Sequence, residues 1–313
     1  MTAVSVRADV AGRLRVPVIA APMFLVSGPE LVIAACRAGI LGSFPAPNCR
    51  TAETLDQWLT QISAAIGDAP YAVNIVTHRT NTRLAEDLEV IARHRPPVVI
   101  TALGSPAPAL ETVHGSGGIV LADVTSIGLA AKAAATGVDG LVCVSAGAGG
   151  HTGHLSPFAF ISAVREFFDG LVVVGGGIAD GAGVAGAVVA GADLVYVGTR
   201  FLATEESVAS DAYKAMVIDN GADDLIVSDA VTGAPASWLR PSLVANGIDL
   251  STMTFEGQRT YDAGAADTAR RWRDLWAAGQ GLGRVRAVEP VAAVVDELAA
   301  EYDAALARIR ALP

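Results

Sequence analysis

Eight short runs of β-branched and apolar residues within the first 200 positions constrain this chain more than any other feature. They lie at 16–20, 40–43, 71–75, 98–101, 118–122, 140–144, 171–174 and 194–197. Each run is continuous rather than alternating, which is the pattern of strands covered on both faces, as in parallel sheets. Parallel neighbours need a crossover rather than a tight turn. Helical patterns fill the gaps near residues 29–38, 51–66, 81–93, 107–115, 125–136, 156–168 and 181–190.

Such an eightfold βα rhythm suits a closed barrel or an open doubly wound sheet. No GxGxxG follows the first run, which weakens the open, dinucleotide-binding alternative. The expected fold is therefore α/β, a TIM (β/α)8 barrel. Two strand entries read alike, ATGVDGLVCV and VAGADLVYV. Their aspartates, Asp139 and Asp193, are 54 positions apart, two steps of 27. At the start of a strand, away from the face that carries chemistry, they are expected to be structural.

After Gly198 the rhythm changes, with one long helix expected at about 207–220 among irregular segments. This gives a second, smaller lid-like domain at 201–275, with the barrel at 1–200 plus 276–313. A final amphipathic helix over 290–312 should pack its stripe of Val291, Val294, Val295, Leu298, Tyr302, Leu306 and Ile309 onto the barrel.

Composition narrows the partners. With 22 Lys+Arg against 32 Asp+Glu the net charge is −10, and no basic run attracts nucleic acid or anionic membrane. No apolar stretch approaches 18 residues, so no membrane span is expected. The opening MTAVSVRADVAGRLRV has no signal-peptide core, and a cytoplasmic location follows as an expectation. Hydrophobic residues make up 52% of the chain, a content compatible with a homodimer. Cys36, Cys49 and Cys143 are too few and scattered for a disulfide framework or a metal knuckle.

Loops leaving the C-terminal ends of barrel strands host chemistry. After the first run stands Ala21-Pro22-Met23, where proline stiffens the turn and methionine either fills core or lies on a flat ring. Asn74 places an amide inside the otherwise apolar YAVNIV, so it needs backbone or ligand partners. After the sixth run comes SAGAGGHTGH. Its glycines permit close backbone approach, and His151 is placed for proton transfer or charge stabilisation. His154 is a weaker candidate, and His78, His94 and His114 read as surface or loop residues. The HxxH pair lacks a third ligand nearby, so no metal is expected. After the seventh and eighth runs, GGGIADG (175–181) and GTR (198–200) form the usual barrel phosphate cradle of backbone N–H groups and helix dipole. A phosphate grip plus a flat-ring contact suggests a mononucleotide cofactor, best met by FMN.

Together PVIAAPM (17–23), Asn74, AGGHTG (148–153), GGGIADG, VGTRFLATEES (197–207) and TGAPASWLR (232–240) resemble the nitronate monooxygenase family, once called 2-nitropropane dioxygenases. The resemblance implies an FMN-dependent barrel flavoprotein that oxidises alkyl nitronates or nitroalkanes with O2 to carbonyl compounds and nitrite. It implies His151 as the catalytic histidine. It also implies cofactor contacts from Pro22, Met23, Asn74, Lys132, Gly149, Gly150, Gly176, Gly177, Tyr196, Val197, Gly198 and Thr199. One stretch departs from the family pattern. Many members have Gln-Gly-x-Glu-Ala where this chain has Val144-Ser145-Ala146-Gly147-Ala148, so the flavin-holding glutamine is replaced by Val144. A related branch with the same barrel and cofactor, the FMN-dependent enoyl-thioester reductases that use NAD(P)H on enoyl-ACP or enoyl-CoA, is the alternative. A phosphate-binding barrel without redox chemistry is the third.

Overall fold

In the computed structural model, eight parallel strands close into a barrel. They are β1 (Val18–Ala20), β2 (Leu41–Pro45), β3 (Tyr71–Val76), β4 (Val98–Ala102), β5 (Ile119–Val124), β6 (Gly140–Val144), β8 (Leu171–Gly175) and β9 (Leu194–Val197), with β9 returning to β1. The described residues are 10–253 and 273–312. Residues 1–9, part of the stretch read for a signal peptide, and 254–272, part of the expected lid, lie outside them.

The apolar runs are continuous because the strands are covered twice. Along β5, Ile119 and Leu121 pack inside the barrel, while Val120, Ala122 and Val124 pack outward against helices. The crossovers are α1 (Pro29–Ala38), α2 (Ala52–Ile66), α3 (Leu84–His94), α4 (Ala107–Gly115), α5 (Ile127–Ala134), α6 (Pro157–Arg165) and α7 (Gly181–Val189). Local chemistry starts several of them. Ser126, Ser156 and Asp180 accept the N–H groups of Leu129, Ala159 and Gly183, respectively. A final helix, α11 (Val291–Arg310), packs against α1 and α7. Its Val291, Val294, Val295 and Leu298 are buried, whereas Tyr302, Leu306 and Ile309 are only partly covered.

The two repeated aspartates clamp neighbouring strands at their starts. Asp139 Oδ2 accepts the Val120 N–H at 2.8 Å and pairs with His114 Nε2 at 2.7 Å. Asp193 Oδ2 accepts the Val172 N–H at 2.7 Å and pairs with Arg165 at 2.5 Å. Each carboxylate thus joins a strand edge to a helix, at the end of the barrel opposite the candidate loops.

The region after β9 differs from the sequence reading in two ways. The helix expected over 207–220 is shorter, α9 (Asp211–Asp219), capped by Ser210. Ser207 does not enter it because its hydroxyl donates to Leu202 O at 2.7 Å and accepts the Ala209 N–H at 3.2 Å, a local alternative to helical pairing. The segment is also not self-contained. Phe201, in α8 (Thr199–Leu202), still belongs to the barrel's outer core. The small antiparallel sheet of β10 (Leu225–Ser228) and β11 (Ala236–Leu239) takes its third strand, β7 (Gly150–His151), from the loop between β6 and α6. The helix α10 (Arg240–Ala245) follows β11 directly.

Candidate active site

The mouth of the barrel is built by residues at the last inward positions of its strands. On β3, Asn74 is 6% exposed, and its Nδ2 donates to Ile100 O at 3.3 Å across the β3–β4 pairing. The structure thus meets part of the amide's demand from backbone and leaves its carbonyl side available. On β6, Val144 packs against the interior cluster and presents an apolar surface where the family carries an amide. On β9, the Tyr196 ring lies against Gly175, where an added Cβ would stand 2.8 Å from Tyr196 Cβ. The tyrosine hydroxyl is buried and has no hydrogen-bond partner.

Sequence reasoning missed Asp123. It follows Leu121 by two on β5 and so shares its inward direction, one level nearer the mouth. The residue is half-buried, but its Oδ1 is buried with no partner among the described residues, and burial pushes the carboxyl up to about 7. Burial, with the Asp123 charge adding to it, also holds the Tyr196 phenol well above its usual range. An acid within IVLADV is the same kind of signal as the amide within YAVNIV, and could have been read in the same way.

The β1 loop is held by another residue that the sequence reading omitted. Asn48 donates from Nδ2 to Met23 O (3.1 Å) and Ser27 O (2.8 Å), and accepts the Leu25 N–H at 2.8 Å. This fixes the turn containing Pro22 and Met23, and the Met23 sulfur lies 3.7 Å from where a Gly198 Cβ would be. The loops after the first and last strands therefore meet.

The histidine loop is tied down on three sides. Gly150 and His151 pair with Ser237 and Ala236, and the Thr152 N–H donates to Pro235 O at 3.0 Å. The buried Thr152 hydroxyl donates to Ser145 O at 3.0 Å. A Cβ on Gly153 would meet Val144 O at 2.3 Å and Thr125 O at 3.2 Å, so the loop passes over the ends of β5 and β6. A Cβ on Gly149 would stand 2.7 Å from Gly279 N. His154 is exposed; His94 is bound to Asp56 at 2.9 Å, and His78 lies beyond β3.

The glycine turns differ from the simple cradle read from sequence. Gly176 has φ +149, and a Cβ there would meet Ala146 O at 2.5 Å, so the turn requires glycine. The Gly177 N–H, however, donates to Gly147 O at 3.0 Å, and the Gln280 N–H shares that acceptor at 2.9 Å. The start of α7 is likewise engaged. Asp180 accepts the Gly183 N–H at 2.7 Å and Glu301 accepts the Gly181 N–H at 2.9 Å. Two carboxylates already complement this helix dipole, which leaves fewer of its N–H groups free for an anion. The turn before α8 carries no side-chain cap at Gly198, and Thr199 Oγ1 accepts the Gly279 N–H at 3.0 Å. A cleft of about 470 Å³ borders Gly176, Gly177, Phe158, Gln280 and Arg284. Lys132 is not gathered into this region; it is exposed in the last turn of α5. Among the described residues, no group of three His, Cys, Asp or Glu could hold a metal ion, and no helix is long and apolar enough to cross a membrane.

The sequence model of the family described as nitronate monooxygenase matches residues 77–301, from the end of β3 into α11. The chain belongs to the nitronate monooxygenase family. Its fold is a TIM barrel. A Paraburkholderia phytofirmans nitronate monooxygenase is 28% identical over 94% of both chains. A Mycobacterium tuberculosis relative, (3aS,4S,5R,7aS)-5-hydroxy-7a-methyl-1-oxo-octahydro-1H-indene-4-carboxyl-CoA dehydrogenase, is 33% identical over 73% of this chain, which spans 64% of that relative's length. Two solved structures superpose over nearly the whole chain, each at 25% identity. FabK from Thermotoga maritima has a TM-score of 0.82 and covers 97% of this chain and 98% of its own. A nitroalkane oxidase from Streptomyces ansochromogenes has a TM-score of 0.81 and covers 98% and 100%, respectively.

Proposed function

We propose that this nitronate monooxygenase family member uses FMN to oxidise alkyl nitronates with O2, giving carbonyl compounds and nitrite. The observation that carries the reading is the β7–β11 pairing, which fixes the backbone of His151 beside the barrel mouth independently of the flexible glycines around it. The chamber suits a flavin. At the barrel mouth two buried polar atoms, Asp123 Oδ1 and Tyr196 OH, have no partner among the described residues and could serve a polar ring edge. Pro22, Met23, Asn74, Gly149, Gly150, Gly176 and the stretch Tyr196–Thr199 would hold the cofactor. Its phosphate would sit at the uncapped turn of Gly198 and Thr199 rather than at α7. When bound, FMN supplies the redox chemistry; the protein orients substrate and excludes competing reactions.

A nitronate already carries its negative charge, so the protein has no difficult proton to remove. His151 would hydrogen-bond the nitronate oxygens, and would act as general base where a neutral nitroalkane is the substrate. The segment 201–275, through β10 and β11, would act as the lid that shapes the substrate space. The full-length likeness to a nitronate monooxygenase and a nitroalkane oxidase supports this reading. The test is oxygen uptake and nitrite release from ethylnitronate by protein reconstituted with FMN. With neutral nitroethane as substrate, where His151 would act as base, His151→Ala should lose about 10²–10⁴-fold in kcat while keeping its flavin. Absence of turnover in the parent protein rejects the assignment.

The 33% identity to the hydroxy-oxo-indene-carboxyl-CoA dehydrogenase favours one further reading, a flavin oxidoreductase acting on a thioester. For a reductase of enoyl thioesters, NADH or NADPH should bleach the flavin rapidly without oxygen. Failure of both to do so dismisses that version.

A further inference from the structure

Two groups at the floor of the chamber share an unusual condition. Asp123 and Tyr196 come from strands separated by β6 and β8, yet both point inward, and each carries a buried oxygen without a partner. Polar atoms in that state are rare in folded proteins because each forfeits its hydrogen bonds to water. Among the described residues no cation offsets the carboxyl. Its inward neighbours on β4 (Ile100) and β6 (Val142, Val144) are apolar. Tyr196 is the other titratable group at this level, with His151 on the loop above β6. On the outer side, the helices packed against β5 carry Glu111, His114 and Lys132; His114 is bound to Asp139 at the opposite end of the barrel, and Lys132 is exposed. A carboxyl so placed favours its neutral form, in which it is a hydrogen-bond donor, as the tyrosine hydroxyl is.

We infer that protonated Asp123 and Tyr196 form a two-donor pair that binds the polar edge of the flavin ring and stabilises the negative charge that edge carries when the flavin is reduced. This deepens the proposed function and rests on its flavin. The physical logic is that of an oxyanion site built from a tyrosine and a neutral aspartic acid: two O–H donors in an apolar pocket favour an anion strongly, whereas an ionised carboxylate there would repel it. Reduction therefore strengthens the hold of Asp123 on its proton. Where the carboxyl has begun to ionise in the oxidised protein, reduction draws that proton back.

The test is the flavin's two-electron midpoint potential against pH, followed by its visible spectrum. The parent protein should take up one additional proton on reduction above about pH 7, seen as a steeper pH slope. Asp123→Asn keeps a donor but cannot titrate. It should lose the steeper slope and stay close to the parent at pH 6. Asp123→Leu and Tyr196→Phe should each disfavour reduction at least tenfold, about 30 mV for a two-electron couple. The near-isosteric Asn and Phe variants keep the experiment decisive if the Leu variant does not fold. Potentials of Asp123→Asn and Tyr196→Phe that track the parent at every pH overturn the pair. Protein that binds flavin but leaves ethylnitronate untouched overturns the substrate assignment alone, and the potentials still decide the pair. Protein that takes up no flavin overturns both.

Discussion

Gly149→Ala isolates the contact that seats the histidine loop. The added methyl would lie 2.7 Å from Gly279 N and 2.8 Å from Ala278 C. Both are backbone atoms, so no side chain can swing away. To reach ordinary contact at 3.4 Å, the loop and the 278–279 segment must part by roughly 0.7 Å. Gly279 is also held by Thr199 Oγ1, and Ala278 O by the buried Ser237 hydroxyl at 2.8 Å, so the strain falls mainly on the loop that carries His151. Overpacking of this kind costs about 1–3 kcal/mol. A displacement approaching 1 Å at a reacting group can cost about 10²-fold in rate. The expected result is a fall in kcat/KM of about 10–100-fold on ethylnitronate, with 1–3 kcal/mol lost in denaturant unfolding. Gly128→Ala is the matched control. It lies in α5 with nothing within 4 Å of the new Cβ and should be neutral or slightly stabilising. If Gly149→Ala keeps activity within twofold and unfolds like the parent, the seating argument fails.

Three further outcomes follow from buried chemistry. Asp193→Asn weakens the acceptor for Val172 N–H and Arg165, and should lower unfolding free energy by about 1.5–3 kcal/mol while leaving kcat of the folded enzyme unchanged; a kcat loss would show that this end of the barrel affects catalysis. Burial pushes the thiols of Cys36 up to about 11 and of Cys49 and Cys143 up to about 12, so native protein at pH 8 should resist a thiol-directed disulfide reagent that reacts at all three positions after unfolding. Asp123 is raised from 3.8 to about 7, so the native state binds more protons than the unfolded state across that interval. Its contribution is complete below about pH 4 and lost as pH rises to 7, and the stability of the flavin-free parent relative to Asp123→Asn should fall over that range in urea titrations.

The eight strands, their order and the crossover helices were legible because burial on both faces leaves an unbroken apolar run, a signal carried by neighbouring residues. The same holds for the Asp139 and Asp193 clamps, whose two aspartates recur at equal steps before a strand. The motifs AAPM, GGHTG, GGG and GTR were legible as strand exits, and each follows a barrel strand at its C-terminal end.

What the chain's linear order could not carry was who partners whom across long separations. That β7 is a strand at all depends on Ala236 and Ser237, more than 80 positions away. That the first N–H of α7 is already taken depends on Glu301, 120 positions on, whose carboxylate accepts it. Asp123 could be noticed as an acid within an apolar strand, but only barrel closure set Tyr196 at its level and buried its Oδ1 with the tyrosine hydroxyl. Periodicity is a local property and is written in the sequence; competition for a hydrogen bond or for solvent is decided only when distant segments meet.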